Sequence, residues 1–163
     1  MAPTDCKITH YDTAMTMIEV GSLRFITDPL FDESGTDYHH GPIHLHKTSK
    51  PLVTPDQIGA VDAVLLSHDQ HADNLDHGGR AFLPQASTVL TTPEGASRLG
   101  GNARPLSSWQ KIDIVGRDGF KVTITALPAQ HGPDGTQEAT GPVTGFLLEW
   151  AGQKHGGLYI SGD

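Results

Sequence analysis

Apolar and polar residues alternate over three short runs early in the chain, Lys7 to His10, Ala14 to Val20 and Leu23 to Thr27. A period of two marks a strand with one buried face. Gly21-Ser22, between the second and third runs, reads as a tight hairpin turn. Asp28-Pro29 closes the third, since proline has no N–H to give to a ladder. Val61 to Leu66 is different: it is almost continuously apolar, the pattern of a strand covered on both faces. Thr88 to Thr91, Lys111 to Val115, Lys121 to Leu127, Val143 to Trp150 and Leu158 to Ser161 complete the predicted strands.

Helical signals are short and fall between strands. Thr54-Pro55 has an N-cap residue followed by proline at the first helical position, residues 75–84 suit a short helix, and Pro93 to Leu99 is capped by Thr92 and stopped by Gly100-Gly101. Residues 32–54 are polar and rich in Gly and Pro, so they read as a long loop. Four histidines (His39, His40, His44, His46) lie in it. They fit either a solvated loop or an active-site flap or accessory metal or anion contact. Strands outnumber helices, which predicts one α/β domain of mixed (α+β) type over residues 1–163, with helices packed outside a mixed sheet.

Composition narrows the class. Eleven basic against 19 acidic residues give a formal charge of −8, which disfavours nucleic acid or an anionic membrane as partner, since both call for clustered Lys and Arg. A small anionic substrate stays open, because a bound cation can dominate the local field. The single Cys6 has no internal disulfide partner and is expected to be inert. Without a signal-like or membrane-spanning run, a soluble cytoplasmic protein is expected.

The chemistry gathers where predicted strands end. Val61 to Leu66 leads straight into Ser67-His68-Asp69-Gln70-His71-Ala72-Asp73-Asn74-Leu75-Asp76. His131 follows the Lys121 to Leu127 run, in Ala129-Gln130-His131-Gly132, and Asp163 closes Tyr159-Ile160-Ser161-Gly162-Asp163. Imidazole nitrogen and carboxylate oxygen are the usual ligands of Zn²⁺ and also suit Mn or Fe. A metal site is therefore predicted.

Taken in order, the early hairpin ending in Asp28-Pro29, the Leu65-Leu66-Ser67-His68 strand end, Ala129-Gln130-His131-Gly132 and Tyr159-Ile160-Ser161-Gly162-Asp163 resemble the metallo-β-lactamase fold superfamily. The similarity is to the branch of small metal-dependent hydrolases that includes the ascorbate-phosphate lactonases. It implies a four-layer αββα sandwich with one or two metal ions, Zn or else Mn or Fe, at a rim between two sheets. By the same resemblance His68, His71, Asp73, His131 and Asp163 would bind metal, Asp163 bridging two ions. His68 and Asp73 would carry the catalysis, Asp73 as general base to a metal-activated water. Asp28 would orient a ligand histidine from outside the ligand set.

Two departures from the family pattern bear on this. The family loop reads His-x-His-x-Asp-His, whereas here the carboxylate comes one residue later and Asn74 stands where the last histidine belongs. Asp69 is then either an alternative ligand or a carboxylate that caps the loop, with Asn74 beside the site rather than in it. The family pattern also continues beyond Asp163 for another strand-and-helix half. The resemblance thus implies an incomplete C-terminal half, completed by missing polypeptide, a homo-oligomer or another chain. The function it implies is metal-dependent hydrolysis of a small ester, lactone or phosphoester. The alternative is a non-catalytic metal- or ligand-binding remnant of the fold, and a di-iron redox protein is a third, less favoured reading.

Overall fold

The computed structural model describes residues 4–40, 43–136 and 140–162. The first hairpin forms as the alternation predicts: β1 (Cys6–Asp12) and β2 (Met15–Val20) pair antiparallel, and β2 pairs with β3 (Leu23–Thr27) across a turn in which Gly21 takes φ 56°. A ribbon of β4 (Asp37–His40) and β5 (Ile43–His46) comes next, then the one-turn helix α1 (Pro55–Ile58). Thr54 caps α1 through a reciprocal pair with Gln57. The chain then alternates strand and helix: β6 (Ala63–Leu65), α2 (His77–Phe82), β7 (Val89–Thr91), α3 (Pro93–Leu99), β8 (Ala103–Pro105). It finishes as a meander of β9 (Lys111–Val115), β10 (Lys121–Ala129), β11 (Val143–Trp150) and β12 (Leu158–Ile160).

Two sheets result. The first has strand order β1-β2-β3-β6-β7-β8, with β3, β6, β7 and β8 mutually parallel. The second, β12-β11-β10-β9, is antiparallel throughout. Period-two alternation sorts the first sheet's side chains into two cores. Ile26, Val64, Leu66 and Val89 pack with Ile58 and Phe82 on the helical side, while Phe25, Ala63, Leu65 and Leu90 meet Val122, Ile124, Phe146 and Leu148 of the second sheet. Both faces of β6 are buried, which is why its sequence is continuously apolar. The layers among the described residues are helices, sheet, sheet. This matches the expected sandwich for three of its four layers.

The structure departs from the sequence prediction in the 32–54 stretch, which contains the β4–β5 ribbon rather than unbroken loop. Its alternation is carried by polar residues: Asp37, His39, His44 and His46 are exposed, and Tyr38 and Leu45 between them are half-buried. The ribbon is held down by Lys47, whose Nζ lies 2.8 Å from the buried Asp12 carboxylate. Burial would push Asp12 up, but hydrogen bonds from Lys47 and Ser49 bring it below its ordinary value. β8 was also unforeseen, being short and mostly exposed. β10 runs on through Pro128. Pro128 shares the parity of Ala126, whose N–H turns to Gln110, but β9 pairs only as far as Thr125, so no ladder bond is lost there.

Candidate metal centre

Parallel strands β3 and β6 run out side by side, and their ends build the site. Asp28, just past β3, is buried and takes φ 33°, a left-handed conformation that Asp adopts more readily than most residues. Its Oδ1 accepts from the Ser67 N–H at 2.7 Å, fixing the backbone immediately before His68. The Ser67 hydroxyl lies 3.0 Å from His68 Nδ1 and accepts from Asn74 Nδ2 at 3.2 Å. With Nδ1 engaged in this way, Nε2 is the nitrogen His68 presents to its neighbours. It sits 3.1 Å from His71 Nδ1, which is itself 3.1 Å from His131 Nε2.

Ligand atoms of these three histidines all lie within 4.8 Å of one another, with His68 and His71 buried and His131 half-buried. The rings meet edge-on, at centroid separations of 4.9, 5.3 and 5.1 Å. A neutral imidazole has one donor and one acceptor nitrogen, so three nitrogens converging in a largely buried corner form a donor set that a cation satisfies. The set fits an imidazole-preferring ion such as Zn or Fe.

The other predicted site residues fall into separate places. Asp73 is not in the cluster; it is exposed and lines the adjoining cavity. The Asp69 carboxylate is paired with Arg98, at 3.0 Å from Nε and 2.5 Å from a terminal nitrogen. Hydrogen bonding to Asp69 raises the Arg98 guanidinium further above its ordinary value. Arg80 also donates to the Asp69 carbonyl at 3.1 Å. The stretch between His68 and His71 is thus clamped by α2 and α3. Asn74 is buried in the Ser67 network. Asp163 lies outside the described residues. Gly162 before it takes φ 73°, and a Cβ there would stand 2.7 Å from the Thr144 carbonyl and 3.2 Å from Ser67 Cβ, so the backbone at Gly162 approaches Thr144 and Ser67 closely.

This clamp carries a prediction. Replacing Arg98 with Met leaves the buried Asp69 carboxylate unpaired between two ligand positions. Zn²⁺ affinity, measured by competition with a chromophoric chelator, is expected to fall about 10–100-fold, the usual cost of losing an outer-shell partner. Unchanged affinity would remove Asp69 and Arg98 from any positioning role.

A cavity of about 670 Å³ opens beside the cluster, lined by His71 and His131 together with Asp73, Tyr38, Leu45 and Arg80. The ribbon therefore forms a cavity wall, with Tyr38 and Leu45 on it. At the same wall the Tyr38 hydroxyl donates to Asp32 at 2.9 Å, and His77 Nδ1 lies 3.2 Å from the same carboxylate oxygen. Burial and the bond to Asp32 push the Tyr38 hydroxyl above its ordinary value. Burial alone would raise Asp32, yet donation from Gly78 N–H, Tyr38 and His77 N–H brings it below the usual carboxylate range. The sequence does not single out Tyr38, Arg80 or Arg98. No spacing links them to the histidines; tertiary packing does.

The profile of the beta-lactamase superfamily domain matches residues 23–163. The chain belongs to that superfamily. Solved structures agree at the level of fold. An isothiocyanate hydrolase from Delia radicum gut bacteria superposes with a TM-score of 0.74 at 23% identity, over 96% of this chain and 62% of its own. A protein from Veillonella parvula described as a possible metal-dependent hydrolase gives 0.77 at 17%, over 100% and 63%. CmlA, a diiron beta-hydroxylase from Streptomyces venezuelae, gives 0.63 at 15%, over 98% and 30%. The beta-lactamase superfamily chain described here thus spans less than two-thirds of the length of these neighbours. Among its described residues no helix is long and apolar enough to cross a membrane.

Proposed function

We propose that this beta-lactamase superfamily chain is a metal-dependent hydrolase of a small ester, lactone or phosphoester. The observation that carries the reading is the convergence of His68, His71 and His131, far apart in sequence, beside a cavity of small-molecule size. These three residues would hold the ion. A bound divalent cation supplies two things: acidified water, whose pKa drops from ~16 toward ~7, and polarisation of a carbonyl or phosphoryl oxygen.

The chain's own residues do the rest. Asp73, an exposed carboxylate on the cavity wall, takes the proton of the attacking water as general base. Tyr38 and Leu45 cover the apolar body of the substrate and exclude water, while Arg80 offers a cation to an anionic substituent. Resemblance to the ascorbate-phosphate lactonases supports a lactone or phosphorylated small molecule within this class.

The test is metal restoration. Protein stripped by chelation is expected to be inactive on p-nitrophenyl acetate, a small lactone and bis(p-nitrophenyl) phosphate, and to regain turnover of at least one with Zn²⁺ or Mn²⁺. Stoichiometric metal binding without turnover on the panel selects the alternative, a metal-binding remnant of the fold. The loop sequence favours that alternative in one respect, because Asn74 replaces a histidine of the family pattern.

A further inference from the structure

The histidines of the β4–β5 ribbon are not used by the centre described above. In the antiparallel register Asp37 stands opposite His46, and His39 opposite His44. Alternate residues of a strand share a face, so these four side chains project together from one face of the ribbon. Tyr38 and Leu45 belong to the other face, and Asp37 and His39 line the cavity along with them. Directly opposed residues hold their Cβ atoms about 4.5–5.5 Å apart, a spacing at which two side chains reach one ion.

Some of these side chains are already in pairwise contact. Asp37 Oδ1 lies 2.8 Å from His46 Nδ1 and 3.6 Å from His44 Nε2. The His39 ring stacks on His44 at 4.1 Å with the planes 17° apart. Their donor atoms are not gathered within 4.8 Å of one another as those of the central histidines are, and because all four residues are exposed, rotamer changes can bring them to a common point. Three imidazoles and one carboxylate form a nitrogen-rich donor set that selects Zn²⁺, Ni²⁺ or Cu²⁺ over Mg²⁺ or Ca²⁺. The register explains the set: a sequence Asp-x-His paired with His-x-His puts these four ligand-type residues on one side.

From this juxtaposition we infer that the ribbon carries a second transition-metal site, made by Asp37, His44 and His46 with His39 completing it. It uses none of the three central histidines, although Asp37 and His39 line the same cavity as His71 and His131, and it does not depend on the hydrolase reading.

Zn²⁺ stoichiometry after equilibrium dialysis tests it. The His44→Ala/His46→Ala double variant is expected to bind one ion per chain fewer than the unsubstituted protein, and its far-UV spectrum to stay unchanged because both residues are exposed. In a His71→Ala protein, where the central set has lost a ligand, Zn²⁺ is still expected to shift the imidazole resonances of His39, His44 and His46. If the double variant keeps the full count, or the ribbon imidazoles do not respond to Zn²⁺, the site does not exist. Neither result bears on whether the central metal supports hydrolysis, which the His71→Ala protein reports separately.

Discussion

His71→Ala is expected to weaken metal retention at the centre sharply and to cut turnover, with the fold intact. His71 is the middle member of the cluster: its Nδ1 is 3.1 Å from His68 Nε2 and 3.1 Å from His131 Nε2. Loss of a direct ligand costs more than the ~10–100-fold in affinity that an outer partner costs. Turnover at subsaturating metal is expected to drop on the order of 10³-fold, about 4 kcal/mol at the barrier. Stability is affected far less, because His71 lies on a loop, outside both hydrophobic cores. Metal content by elemental analysis, steady-state rates and a thermal melt separate these effects. A His71→Ala protein that keeps its central ion and its rate would show that the three imidazoles meet for structural reasons. Asp73→Asn provides the contrast: if Asp73 acts as a base from the cavity wall, it lowers the rate and leaves metal content unchanged.

Much of this arrangement was legible in the sequence, for identifiable reasons. β6 stood out because a strand sandwiched between helices and a second sheet has no polar face. α3 was bounded to the residue, because Thr92-Pro93 and Gly100 each meet a specific backbone requirement: Thr92 accepts from Gly95 N–H, and Gly100 takes φ 63°. His68, His71 and His131 were visible as ligand-type residues at strand ends. The ribbon was not, because its period of two is written in histidines and an aspartate rather than in apolar residues. Neither Asp69 nor Asp73 lies in the three-histidine cluster, and the reason lies off the local sequence. Arg98, 29 residues on, claims Asp69, while the loop's bend leaves Asp73 exposed on the cavity side. Asn74, a departure from the family pattern, has a place in the network: its amide donates to the Ser67 hydroxyl, which in turn engages His68 Nδ1.

Asp76→Ala is expected to produce the largest loss of stability of any single substitution in the loop. Asp76 is the N-cap of α2, accepting from Gly79 N–H at 2.6 Å. The same carboxylate accepts from the N–H groups of Phe31 at 3.0 Å and Asp32 at 2.7 Å, and Lys47 Nζ stands 4.0 Å away. One buried side chain thus joins the end of the metal loop, the start of α2, the segment after β3 and the base of the ribbon. Burial pushes its carboxyl above the ordinary value, against the opposing effect of those backbone donors. Alanine removes the acceptor for three N–H groups at once, each about 1–3 kcal/mol when left unsatisfied. Partial hydration of the half-buried pair reduces the sum to about 3–5 kcal/mol. Against a total of about 5–15 kcal/mol for a domain, that is a large fraction. At about 2–4 °C per kcal/mol for a chain of this size, the melting midpoint is expected to fall by about 10 °C. Asp76→Asn keeps one acceptor oxygen and is expected to lose less than half as much. A melt of Asp76→Ala within about 2 °C of the unsubstituted protein would mean that the loop and ribbon do not depend on this carboxylate. The expected loss would instead place the stability of the ribbon, the cavity wall and the His71 loop under one residue that touches no ligand atom of the centre.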